Sequence, residues 1–156
     1  MEVCAIAQIW SLPFLISLVA LPNSVSPWVR FTLLTLLLGY PYIHAIQVGL
    51  QSRNANSVRT RTVASAFYNM MVQLGNIVSS NIYRTDDAPY YRRGNEVLIA
   101  IACMNIALYA LAKIYYIYKN KRRAAIWDSW NEDQKKEYLT TTKDRGNKRL
   151  DFRFAH

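Results

Sequence analysis

The sequence predicts an all-α membrane protein: four transmembrane helices followed by a polar C-terminal tail. Three observations carry this. Residues 3–29, 31–52, 62–83 and 97–112 contain no Lys, Arg, Asp or Glu. A helix needs about 20 predominantly apolar residues, at 1.5 Å rise each, to cross roughly 30 Å of hydrocarbon. From residue 119 onward the composition turns polar. The averages over all 156 residues, a net charge of +9 and a mean hydropathy near zero, are those of a small basic soluble domain and conceal this partition.

Four segments meet the length requirement or come close to it: 3–21, 28–50, 62–83 and 96–118. The first has Glu2 where a secretory signal carries basic residues, and similar segments follow it, so it is expected to remain as a membrane helix. Cys4 and Cys103 fall inside spans, where small packing residues are expected rather than a disulfide or a metal site. Turn-forming residues separate the segments: Pro22, Asn23, Ser24 and Pro27, then Asn54, Asn56 and Ser57, then Asp86, Asp87, Pro89 and Gly94. Four crossings place both termini on one side. Arg53, Arg59, Arg61, Lys119, Lys121, Arg122 and Arg123 lie on that side, against Arg30, Arg84, Arg92 and Arg93 on the other. The excess of positive charge predicts cytoplasmic termini. Lys113 is placed to snorkel from the last span, and Tyr115, Tyr116 and Tyr118 suit its interfacial belt.

Residues 1–118 therefore form the transmembrane part and 119–156 a cytoplasmic tail. Ser129 and Glu132 have capping-box spacing, which predicts a short helix over about 130–140 before an irregular stretch at 143–149. The tail's positive charge is expected to form a solvated face beside the membrane rather than a specific lipid site. Basic residues are split between both faces and the tail without a recognised motif, so no nucleic-acid partner is expected.

Polar residues inside the spans carry the functional reading. Ser65, Asn69, Gln73, Asn76 and Ser80 are separated by steps of 4, 4, 3 and 4, which place all five in one sector of the third helix. Three carboxamides facing lipid would be costly, so this face is expected to meet another helix or another bundle, or to border a polar pathway. The second span carries Tyr40, His44, Gln47 and Gln51 at steps of 4, 3 and 4. Gly39 and Pro41 fall beside them, and a proline removes a backbone donor, so a helix break is predicted near mid-span. Broken helices beside polar side chains build transporter binding sites. His44 is the one imidazole in the spans and belongs to the side-chain type that titrates near neutral pH. Tyr40, His44 and Gln47 are thus the candidates for substrate binding or proton coupling, and packing is the competing role. Asn105, Tyr109 and Tyr116 form a weaker stripe that reads as packing. No HExxH, GxSxG, Walker or CxxC pattern and no pair of membrane carboxylates occurs, so neither enzymatic activity nor a cofactor or metal is expected.

Residues 59–94, RTRTVASAFYNMMVQLGNIVSSNIYRTDDAPYYRRG, resemble the end of a major facilitator superfamily transporter, most closely the fungal allantoate permease-like branch of the anion:cation symporters. The likeness rests on Arg59 and Arg61, Gly75-Asn76, Ile82-Tyr83, Asp87-Ala88-Pro89-x-Tyr91 and Gly94, and the tail GNKRLDFRF is also similar. One departure is Asn56-Ser57-Val58-Arg59, which lacks the glycine of the family's Asn-x-x-Gly-x-Thr-Lys-Arg pattern. The resemblance implies that the spans are the ninth to twelfth helices of a twelve-helix permease. It further implies an N-terminal transporter part elsewhere, and a small organic anion or vitamin-like acid as substrate, moved with protons by alternating access. In that geometry Tyr40, His44 and Gln47 look toward substrate, while the carboxamide face serves the contact between halves. A multi-pass protein of the plasma membrane is expected. The competing reading is a tetraspan structural or regulatory protein in which both stripes serve packing.

Overall fold

The computed structural model describes residues 2–40 and 42–156. These form six α-helices: α1 Glu2–Ala20, α2 Pro27–Leu38, α3 His44–Ala55, α4 Val58–Ser79, α5 Arg92–Asp128 and α6 Glu132–Thr141. Two short 3₁₀ turns, Thr85–Asp87 and Gly146–Lys148, complete the described elements.

Local chemistry sets the boundaries. Glu2 opens α1 at the end where the helix dipole favours an anion. Pro13 lies within α1, and the Ser17 hydroxyl donates to its carbonyl at 2.7 Å. Pro27 starts α2, the position that best tolerates a missing N–H. The second expected span is divided: α2 ends at Leu38 with Gly39 as its cap, and α3 begins at His44. The break predicted near Gly39 is present, while Pro41 lies outside the described residues. Asn56 closes α3 in the left-handed conformation at φ 49°, and the Ser57 hydroxyl caps α4 by accepting the Thr60 N–H at 3.2 Å.

α5 runs for 37 residues, about 56 Å, and so continues well past residue 118. One sequence expectation is corrected in the tail, the cap of its short helix. The cap of α6 is Asn131, paired with Gln134, rather than Ser129 with Glu132; the Ser129 hydroxyl instead donates to Ile126 O at 2.7 Å.

Contacts between helices order the bundle. α1 packs along α5, with Glu2 ion-paired to Lys113 at one end and Arg92 donating to Leu21 O at 2.9 Å at the other, so the two are antiparallel. Lys113 is therefore ion-paired rather than only snorkelling. α1 also packs on α2, and α3 on α4. The phenol of Tyr83 donates to Asn95 at 3.0 Å, which seats the end of α4 beside the start of α5. The last residues return to α3, so both chain ends lie at the end of the bundle that bears the tail.

Of the described helices, α1 and α5 are long and apolar enough to cross a membrane. α4 has the length but carries the carboxamides, and the second expected span is split into two helices of 12 residues. The chain is less compact than a soluble monomer of its mass, and large apolar side chains lie on its surface. A water-soluble monomer of 18.0 kDa exposes about 8,000 Å², whereas this chain exposes 10,998 Å². Ile6, Trp10, Trp28, Phe31, Phe67 and Leu108 are all exposed. A small cluster of Cys4, Ala7 and Ile43, with Tyr40 and Tyr109 against it, joins α1 to the helix break and α5. Small side chains on α1 permit that close approach.

Candidate functional site

The segment after the helix break aims two polar side chains between helices. His44 opens α3, and Gln47 lies one turn further on. Tyr68, from α4, lies with its hydroxyl 2.7 Å from His44 Nδ1 and donates to Gln47 Oε1 at 3.0 Å. Gln47 Nε2 donates to the Tyr109 hydroxyl of α5 at 2.5 Å. Four side chains from three helices thus form one continuous hydrogen-bonded chain.

Proton counting defines what this chain can do. A phenol has one proton to give. With Tyr68 donating to Gln47, His44 Nδ1 must carry its own proton and donate to Tyr68, which leaves Nε2 as the acceptor of the neutral ring. Rotating the Gln47 amide by half a turn reverses every bond. Tyr109 then donates to Gln47, Gln47 to Tyr68 and Tyr68 to His44 Nδ1, and the ring proton sits on Nε2. The imidazole tautomer at one end is therefore coupled to the direction of the Tyr109 hydroxyl at the other.

Beside the chain lies an open-sided cavity of about 480 Å³ between α1, α3, α4 and α5. Gln47, Gln51, Asn54, Thr60, Tyr68, Tyr109, Tyr116 and Asn147 are the polar residues of its lining. Gln51 Oε1 is buried there without a hydrogen-bond partner among the described residues. That is an acceptor with its bonding capacity unspent, which a bound molecule would satisfy. Among the described residues no charged side chain lines the cavity.

The sequence candidates fall in different places. His44 and Gln47 are in the hydrogen-bonded chain. Tyr40 lies before α3 rather than on it, so the step from Tyr40 to His44 is not a helical one. Its ring is half-buried against Cys4, Ala7 and Ile43, and it makes no side-chain hydrogen bond among the described residues. On α4, Asn69, Gln73, Asn76 and Ser80 are exposed and Ser65 is half-buried. That face is left largely uncovered by the described residues. Its own bonds are local, from Asn76 to Gln73 at 3.4 Å and from Ser80 to Ile77 O at 2.8 Å. Tyr68 and Tyr109 were the residues missed: Tyr68 lies about 100° from the carboxamide stripe, and Tyr109 read as packing.

The tail is built into the same end of the molecule. Asn54 and Ala155 exchange two hydrogen bonds, at 3.1 and 2.8 Å, and Asn120 and Phe154 exchange two at 2.8 Å. Arg123 donates to Phe152 O at 3.1 Å and Asn147 O at 2.8 Å, and burial pushes its pKa below the usual arginine value. Phe154 stacks on Tyr116 with ring centroids 4.8 Å apart.

Comparison with known proteins adds the biological context. Over 151 residues the chain is 51% identical to an uncharacterized transporter of Saccharomyces cerevisiae, matching 97% of this chain and 28% of that protein. Another protein of the same yeast, also named as an uncharacterized transporter, is 50% identical over 129 residues, 83% of this chain and 60% of its own length. An uncharacterized transporter of Schizosaccharomyces pombe is 32% identical over 103 residues, 66% of this chain and 20% of its length. The chain thus spans less than two thirds of each of these relatives. No family model matches, and no solved structure matches. The relatives are named as transporters and not as enzymes. Together with the apolar helices, they point to an integral membrane protein of transporter type.

Proposed function

We propose that this chain supplies one helical part of a secondary active transporter that carries a small organic anion or vitamin-like acid by alternating access, with His44 exchanging the coupled proton. In this reading the transporter is of the major facilitator type, allantoate permease-like branch, and the rest of it covers the carboxamide face of α4. Its termini are cytoplasmic and its membrane is the plasma membrane. The observation that carries the reading is the hydrogen-bonded chain from His44 to Tyr109 beside a mostly apolar cavity that holds several uncharged polar groups. The imidazole lies one hydrogen bond behind the lining, so a proton gained or lost there reorients donors that face a bound molecule. With Gln47 donating to it, Tyr109 keeps its own proton as a neutral donor suited to a carboxylate, and protonated His44 adds the positive charge that the lining lacks.

The test is uptake by a chimera in which this chain replaces the matching segment of the Saccharomyces cerevisiae relative that is 51% identical. Uptake of a panel of radiolabelled small carboxylic acids is followed from about pH 5 to 7, where imidazoles titrate. His44→Ala should abolish saturable uptake or flatten its pH profile at equal expression. Unchanged uptake with an unchanged profile would make His44 a packing residue and remove the reading's support.

A further inference from the structure

Folding gathers positive charge from two distant parts of the chain. Gly146 adopts φ +63° against the turn between α3 and α4, where a Cβ would lie 3.2 Å from Ala55 O and 3.3 Å from Ser57 Oγ. Asn56 Nδ2 donates to Gly146 O at 3.2 Å. This docking brings Lys143, Arg145 and Lys148 of the tail beside Arg59 and Thr60 of α4 and its cap Ser57, around a cleft of about 460 Å³. Asp144 is the one carboxylate of the lining, and its Oδ2 accepts from Tyr138 at 3.5 Å. None of the four cations is ion-paired among the described residues.

Four cations and one carboxylate around one cleft leave an excess of positive charge that attracts an anion. The N-terminal end of α4, a helix of 22 residues, adds its own partial positive charge to the same cleft. The charge-free stretch of α4 begins at Thr62, directly after Arg59 and Arg61, so the cleft opens where an apolar surface starts. We propose that this cleft is a binding site for a phosphomonoester-bearing anion. Arg59 supplies the planar fork that matches phosphate oxygens, and Lys143, Arg145 and Lys148 supply the surrounding charge. The chemistry suits both a phosphorylated lipid headgroup and free phosphate. It does not depend on transport.

The experiment is calorimetric titration of the full chain in neutral detergent micelles with three probes: a phosphatidylinositol monophosphate, phosphatidylserine and inorganic phosphate. The site predicts saturable binding of the phosphomonoester lipid at least about tenfold tighter than phosphatidylserine. Replacing Arg59→Gln and Lys148→Gln together should weaken that binding by about tenfold or more, the scale of a lost charge-assisted hydrogen bond. Lys121→Gln with Arg122→Gln removes the same charge from an exposed turn of α5 and should cost less than about threefold. Comparable, variant-sensitive binding of inorganic phosphate would assign the free ion as ligand, and its absence would assign the lipid. Gly146→Ala changes no charge but dislodges the tail, and should weaken binding as strongly as the Arg59 and Lys148 pair. Equal losses from the two double variants, phosphatidylserine bound as tightly as the phosphomonoester lipid, or no saturable binding would each overturn the proposal. So would full affinity in Gly146→Ala with its tail released.

Discussion

Asn120→Leu tests whether the tail docks as one cooperative unit. The Asn120 side chain accepts the Phe154 N–H and donates to the Phe154 carbonyl, both at 2.8 Å, and leucine of similar volume can do neither. Two net hydrogen bonds at about 1 kcal/mol each give about 2 kcal/mol, or roughly a 30-fold fall in the ratio of docked to undocked tail. The reporter is the Ala155 amide, which donates to Asn54 Oδ1 at 2.8 Å and has no hydrogen bond to Asn120. Hydrogen exchange followed by NMR on the full chain in micelles should show Phe154 and Ala155 amides both accelerating about 30-fold if segment 146–155 opens as a unit. Amides within α4 should exchange as before, which confirms an intact bundle. Fast exchange at Phe154 with Ala155 unchanged would refute the reasoning, because the two amide clamps would then act separately.

Three further outcomes are expected. The hydrogen bond from Arg149 holds the Asp151 carboxyl below the ordinary carboxylate range. Its contribution to tail order is therefore complete above that range and disappears as pH falls through the lowered folded value. The Ala155 amide shift should move over that acidic window in the parent chain and hardly at all in Asp151→Asn, with a small amplitude as befits a surface pair. Gly94→Ala should lower the unfolding temperature in micelles by overpacking worth about 1–3 kcal/mol, since its Cβ would lie 2.6 Å from Tyr83 Cδ1; adding Tyr83→Ala should recover part of the loss. Ser24→Cys should react with an impermeant thiol reagent from outside the cell and Lys143→Cys only after permeabilisation, and the inverse pattern would reverse the proposed orientation.

Element type and the helix break were legible because they depend on short-range chemistry. Charge-free stretches, a glycine beside a proline, and serine or asparagine caps act within one or two turns. The one-face reasoning for Tyr40 and His44 failed because helical periodicity applies only within a continuous helix, and the break falls between them. His44 and Gln47 were recognisable as buried polar groups that need partners, but those partners were not. Tyr68 and Tyr109 lie 24 and 62 residues from the side chains they bond, and each alone reads as an ordinary aromatic packing residue. The tail was legible as polar but not as docked, since its attachment uses backbone groups of residues 146–155 and the side chains of Asn54, Asn120 and Arg123. Backbone acceptors leave no mark in a sequence. For the same reason Arg59 and Lys148 appeared as separate juxtamembrane charges until folding placed them around one cleft.

In the proposed function His44 exchanges a proton in step with substrate, coupled to the cavity by the hydrogen-bond direction through Tyr68, Gln47 and Tyr109. The most direct measurement reconstitutes the chimera in liposomes holding a pH-sensitive dye and records lumen acidification when the transported acid is added outside. Acidification that depends on substrate is expected in the parent chimera. His44→Gln, which keeps a hydrogen-bonding group but cannot titrate, should retain exchange of substrate across the membrane while losing the acidification. Acidification at the parent level in His44→Gln, or substrate accumulation in the parent chimera without any proton movement, would contradict the account.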